Sequence, residues 1–155
     1  MNRLAEGTKI LFFTIFASII YGWLHDLVTA HISPEYFLPP YHVVIIPTQS
    51  PIHLALIWGV VATWWMGAFF GFLLALAATI GKNPLAFAQL KKPITLGLLA
   101  VLIAAYLYLA INLSRNPDEI DAVLATHKFS YAACSILAGA LIAWTIYRRR
   151  NSKSP

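Results

Sequence analysis

Charge is scarce in this sequence. Asp, Glu, Lys and Arg make up 11% of its 155 residues, where soluble chains carry roughly 25%. That deficit excludes an ordinary soluble domain. Cysteine is scarcer still. Cys134 stands alone, so neither an intrachain disulfide framework nor a thiolate metal cluster can form. It reads as a small apolar packing residue. There is no HExxH zinc motif, and one cysteine cannot make a CxxC. Internal repeats and low-complexity segments are also lacking.

What fills the chain is hydrophobic residues, 59% of the total. They fall in four long blocks and not in amphipathic stripes. Blocks of about 20 residues suffice to cross the hydrocarbon of a bilayer. The sequence therefore predicts an all-α fold, a four-transmembrane-helix bundle with short interfacial helices in the two outer loops. The expected spans cover about residues 9–30, 52–80, 93–113 and 126–147. Together they form a single membrane domain over residues 1–150, with residues 151–155 as a disordered tail. The first block lacks a small-x-small cleavage site and runs directly into Tyr21, Trp23, His25 and Asp26. It reads as a retained span and not as a signal peptide.

The net charge is +5. In a soluble protein that would suggest nucleic acid; here its distribution points to the lipid bilayer. Arg3, Lys9, Lys82, Lys91, Lys92, Arg148, Arg149, Arg150 and Lys153 fall on one side of the four blocks. Only Arg115 and Lys128 fall on the other, with Asp26, Glu35, Asp118, Glu119 and Asp121. The positive-inside rule then places both termini and the middle loop in the cytoplasm, with the first and third loops outside.

The second block carries Gly59, Thr63, Gly67, Gly71 and Ala75 at intervals of four. Small residues at that spacing let another backbone approach closely, so the stripe predicts a packing face for a second copy of the chain or a membrane partner. Trp64 and Trp65 read as bulky filler and not as a cofactor stack. The third block has no charge, and Asn112 is its one strongly polar residue. The scarcity of polar groups there and in the inner half of the fourth block argues against a proton or ion conduit.

The polar residues gather elsewhere. His25, His31, His42, His53 and His127 all fall on the expected outer side, with Asp26 and Glu35. Ionisable residues within a span are costly and mark functional sites by default. His25 lies six residues before His31, roughly 9 Å below the end of the first helix. Asp26 follows about 100° around the axis, so both can face the bundle and neither need touch the other. Imidazole and carboxylate together ligate zinc or iron. His25, Asp26, His31, Glu35, His53 and His127 are accordingly the candidate ligands of a divalent metal, which would extend to a metal-dependent enzyme acting on a lipid-sized or membrane-near substrate. Ser50-Pro51 starts the second helix and puts His53 in its first turn, where the dipole favours the neutral imidazole that a metal needs.

Blander readings stand beside this one. His25 can be a buried polar residue bonded to Asp26 or Thr29, His42 a solvated loop residue, and Glu35 a helix cap after Ser33-Pro34. One alternative function is a structural or assembly subunit with no site. Another is a b-type haem protein, which needs two histidines on different helices at matched depth, such as His53 and His127. It ranks lower because residues at helix mouths would leave the macrocycle exposed.

The segment HDLVTAHISPEYF, followed by SPIHLALIWGVVATWWMGAFFGFLLALAA, resembles a group of small, uncharacterised bacterial multi-pass membrane proteins. They share an HDxVT…EYF segment and a TWWxG second helix. The similarity runs from Tyr21 to Ala78. It implies a bacterial plasma membrane protein and carries over no catalytic role.

Overall fold

In a computed structural model, which describes residues 2–116 and 118–151, each apolar block is a helix. The helices are α1 (Arg3–Ile32), α2 (Pro51–Thr79), α3 (Phe87–Arg115) and α4 (Glu119–Asn151), and no strand occurs among the described residues. All four are long and apolar enough to cross a membrane, which makes this a multi-pass membrane protein. With 29 to 33 residues each, they run roughly 44–50 Å, against about 30 Å of hydrocarbon. Their ends therefore stand out of the apolar layer, and that is where the polar caps are found.

Those caps explain where the helices depart from the blocks. Pro93 suggests a first turn, yet α3 begins at Phe87 and holds Pro93 inside it. Its amides are met from elsewhere. The Phe87 N–H donates to Glu6 Oε2 at 2.7 Å, and the Ala86 N–H to Gln89 Oε1 at 3.0 Å. The acids after Asn116 do not open a separate surface helix. Asp118 Oδ1 accepts from the Asp121 N–H at 3.0 Å, and the helix that starts there continues without a break as α4. Asn151 is the last residue of α4 and not part of a tail. Pro117 and residues 152–155 lie outside the described residues. In the first loop the short helix is a single 3₁₀ turn, Pro34–Phe37.

The bundle is inverted relative to a soluble one. On α1, Phe12, Phe16, Ile20, Leu24 and Val28 recur every four residues and are exposed, a face for lipid. Thr14, Tyr21, His25, Asp26 and Thr29 on the same helix are buried. Trp64 and Trp65 of α2 also point outward. The stripe of small residues on α2 faces inward and is taken up by α1 of the same chain. A Cβ on Gly59 would meet the Trp23 backbone nitrogen at 2.8 Å, one on Gly67 the Ile15 Cα at 2.8 Å, and one on Gly71 the Thr14 Cβ at 2.9 Å. The expectation that this stripe grips a second copy or a partner is thereby corrected. Backbones pack this closely without a hydrophobic drive only where no side chain intervenes, and α1 already fills that space.

Two apolar plugs close the bundle. One holds Ala30, Tyr36, Phe37, Leu54, Leu109 and Val123 at the histidine end. The other holds Ile10, Leu74, Ala78, Leu85, Leu90 and Ile94 at the opposite end. There Gly81, at φ +99°, turns the chain out of α2, and the Arg149 guanidinium donates to the Ala77 carbonyl at 2.9 Å. Between the plugs lies a cavity of about 110 Å³.

Candidate metal centre

His25 lies seven residues before the end of α1, about 10 Å from that end. It is 3% exposed, and the adjacent Asp26 is 4% exposed. Helical geometry separates their Cβ directions, but rotation of both side chains closes the gap: His25 Nδ1 donates to Asp26 Oδ1 at 3.0 Å. From α4, His127 joins them. Its Nε2 lies 3.3 Å from the same Oδ1. The two imidazoles meet edge to face, with ring centroids 4.6 Å apart and planes at 86°. One ligand atom from each of His25, Asp26 and His127 falls within 4.8 Å of the others. The three can hold a metal ion.

Proton bookkeeping shows what this cluster lacks. His127 Nδ1 lies 2.9 Å from the Val123 carbonyl, which can only accept, so Nδ1 carries a hydrogen. The Nε2 of a neutral His127 then turns a lone pair toward a carboxylate oxygen. Two acceptors at 3.3 Å repel unless a cation stands between them, either a proton or a metal. On the other ring, His25 spends its Nδ1–H on Asp26, and its Nε2 is buried with no hydrogen-bond partner. A polar atom stranded in this way costs about 1–3 kcal/mol. His127 thus has one nitrogen fixed by a backbone acceptor and the other bare toward Asp26, the arrangement that sets a histidine's tautomer for a metal; on His25 the bond to Asp26 is the one a metal would replace.

The surroundings seal the cluster from water above. Tyr36 and Phe37, set by the 3₁₀ turn, lie against His127 with centroid separations of 4.6 and 5.7 Å. Burial pushes the Tyr36 phenol up to about 12, with Tyr131 and Asp26 adding to the effect. Across the physiological range it is a neutral donor. Below the cluster, Tyr21 stacks near His25 at 5.9 Å and shares a hydrogen bond with Ser130 at 2.8 Å, which ties α1 to α4. Tyr21→Phe is expected to lower stability by about 0.5–1.5 kcal/mol, read as an unfolding midpoint in detergent. A midpoint equal to wild type would show that this bond does not hold α4 in place.

The remaining candidates do not reach this centre. His31 is exposed, with its Nδ1 donating to the Leu27 carbonyl at 2.6 Å. Glu35 is exposed and accepts from the Ser33 hydroxyl at 3.4 Å. His53 is exposed at the start of α2, 3.4 Å from the Thr48 hydroxyl. The haem reading needs a pair at matched depth with room between. His53 sits at the rim, and the rings of His25 and His127 touch. His42, read as a solvated loop residue, is instead half-buried. It donates to the Tyr36 carbonyl at 2.6 Å and rests on Trp58 at 4.5 Å. Tyr21 was visible as the residue four before His25 on one helix face. Nothing local in the sequence marks His42, because a folded loop brings it in.

No protein-family model matches this chain, and no curated protein or solved structure does.

Proposed function

We propose that the chain binds one divalent metal, zinc or ferrous iron, through His25, Asp26 and His127 on the outer side of a bacterial plasma membrane, with both termini in the cytoplasm. The convergence of one ligand atom from each of the three side chains within 4.8 Å carries this reading, with His127 Nε2 and Asp26 Oδ1 facing each other at 3.3 Å as two acceptors that a cation would join. The donor set of two imidazoles and one carboxylate suits zinc and non-haem iron alike and leaves coordination positions open. A metal held so incompletely can polarise a bound oxygen or lower the pKa of a bound water. The basic residues at the end opposite the histidines support the orientation, and the resemblance of Tyr21 to Ala78 supports the bacterial membrane.

Elemental analysis of protein purified after zinc or iron supplementation tests this. Stoichiometric metal is expected in the wild type and in His31→Ala, His53→Ala and Glu35→Gln, and its loss in His25→Ala and His127→Ala. Metal-free wild type under both supplements would overturn the proposal, as would a loss in His53→Ala equal to that in His127→Ala. A reporter fused to the carboxyl end is expected to read cytoplasmic.

A further inference from the structure

The metal centre is one end of the cavity described above. From Asp26 the cavity follows α1 down to Thr14, twelve residues or about 18 Å. α2 and α4 form most of its walls, with Ile94 and Leu98 of α3, and below Ser130 the lining is mostly apolar, including Met66, Phe70, Leu137 and Leu141. Apolar lining drawn out over that length suits an extended hydrocarbon chain. The aromatic roof of Tyr36 and Phe37 stands between the cluster and water, so the apolar slot is the approach that remains.

Charge narrows the occupant further. A divalent cation with one Asp carboxylate and two neutral imidazoles leaves a net positive charge buried in low dielectric. Such a charge is costly unless paired. An anionic oxygen group arriving through the slot would neutralise it and fill an open coordination position.

We infer that the slot between α2 and α4 seats the hydrocarbon chain of a single-chain amphiphile whose anionic oxygen headgroup meets the metal at His25, Asp26 and His127. This rests on the metal reading for its headgroup half and on the cavity for its tail half. Fatty carboxylates and monoacyl phosphates share the required chemistry, and competition separates them.

The test uses the full chain in lipid nanodiscs with a fatty acid carrying a mid-chain diazirine, with metal content measured on the same samples. Photolabelling is expected on α2 and α4 around Met66, Phe70, Leu137 and Leu141. Palmitate or monoacyl phosphatidic acid should compete for it, the better competitor identifying the headgroup, while methyl palmitate should not. Ala138→Trp, which fills the slot far from the ligands, is expected to cut labelling on the order of tenfold while keeping the metal. Met66→Trp gives a second obstruction should the first variant misfold. Label spread evenly over the lipid-facing Phe16, Ile20 and Leu24 would overturn the inference. So would label undiminished in both slot-filling variants. If no metal is bound yet slot labelling is competed equally by palmitate and its methyl ester, the headgroup half falls with the metal reading and the inference with it. If metal is bound and the slot is unlabelled, the metal reading stands alone.

Discussion

His127→Ala, measured on metal-stripped protein, is expected to lose about 3–5 kcal/mol of stability, because removing one partner leaves a buried charge uncompensated. Asp26 Oδ1 has two neighbours, His25 Nδ1 at 3.0 Å and His127 Nε2 at 3.3 Å. Without metal, the second contact is attractive only when a proton lies in it. Alanine removes the ring, and the buried carboxylate keeps only the donor from His25. The double variant Asp26→Ala/His127→Ala removes the stranded charge as well and should recover most of the loss. Unfolding titrations of wild type, both single variants and the double variant close the cycle. If the single losses simply add, the cluster is not coupled, and the interpretation of His127 as the carboxylate's partner is wrong. Restoring zinc or iron should stabilise wild type by about 2.7 kcal/mol at a hundredfold excess over the dissociation constant, and His127→Ala by far less.

The second large effect belongs to a residue with no chemistry. Gly22→Ala places a methyl 2.6 Å from the Gly59 carbonyl oxygen and 2.6 Å from Thr63 Cγ2. The hydroxyl side of Thr63 is already committed to that same Gly59 carbonyl, and a carbonyl within a helix cannot step aside. α1 and α2 must separate or tilt, at a cost of about 1–3 kcal/mol or more. Gly22 precedes His25 by less than one turn, so the same tilt should weaken metal binding. Gly139→Ala is the control, since a Cβ there meets nothing within 4 Å. It should be neutral or gain the helix-propensity difference, up to about 1 kcal/mol. Equal melting behaviour for the two variants would show that the α1/α2 contact is looser than described.

Both effects mark what could and could not be read from the residues. Hydrophobic block length fixed the four helices, since few other structures satisfy a backbone in lipid. Their ends were less legible. Pro93 looked like a start because the true start at Phe87 is stabilised by Glu6, 81 residues away. The small-residue stripe was correctly a packing face, but spacing alone does not name the partner, and α1 turned out to lie on it. In the site, His25 and Asp26 stood out because ionisable groups in a span are rare. His127 was read at the mouth of the fourth helix, and only the start of α4 at Glu119 carries it eight residues inward to meet them. His31, Glu35 and His53 share their end of the bundle but not their direction, and direction depends on side-chain packing that periodicity does not encode across a proline-rich loop.

The two contacts at the end opposite the histidines bear on how the bundle is put together. Glu6 completes the beginning of α3, and Arg149 completes the end of α2. The middle pair of helices is thus finished by residues of α1 and α4. During synthesis α2 must wait with an open terminus until the ribosome has delivered Arg149, so closure of this end comes only once α4 has been made.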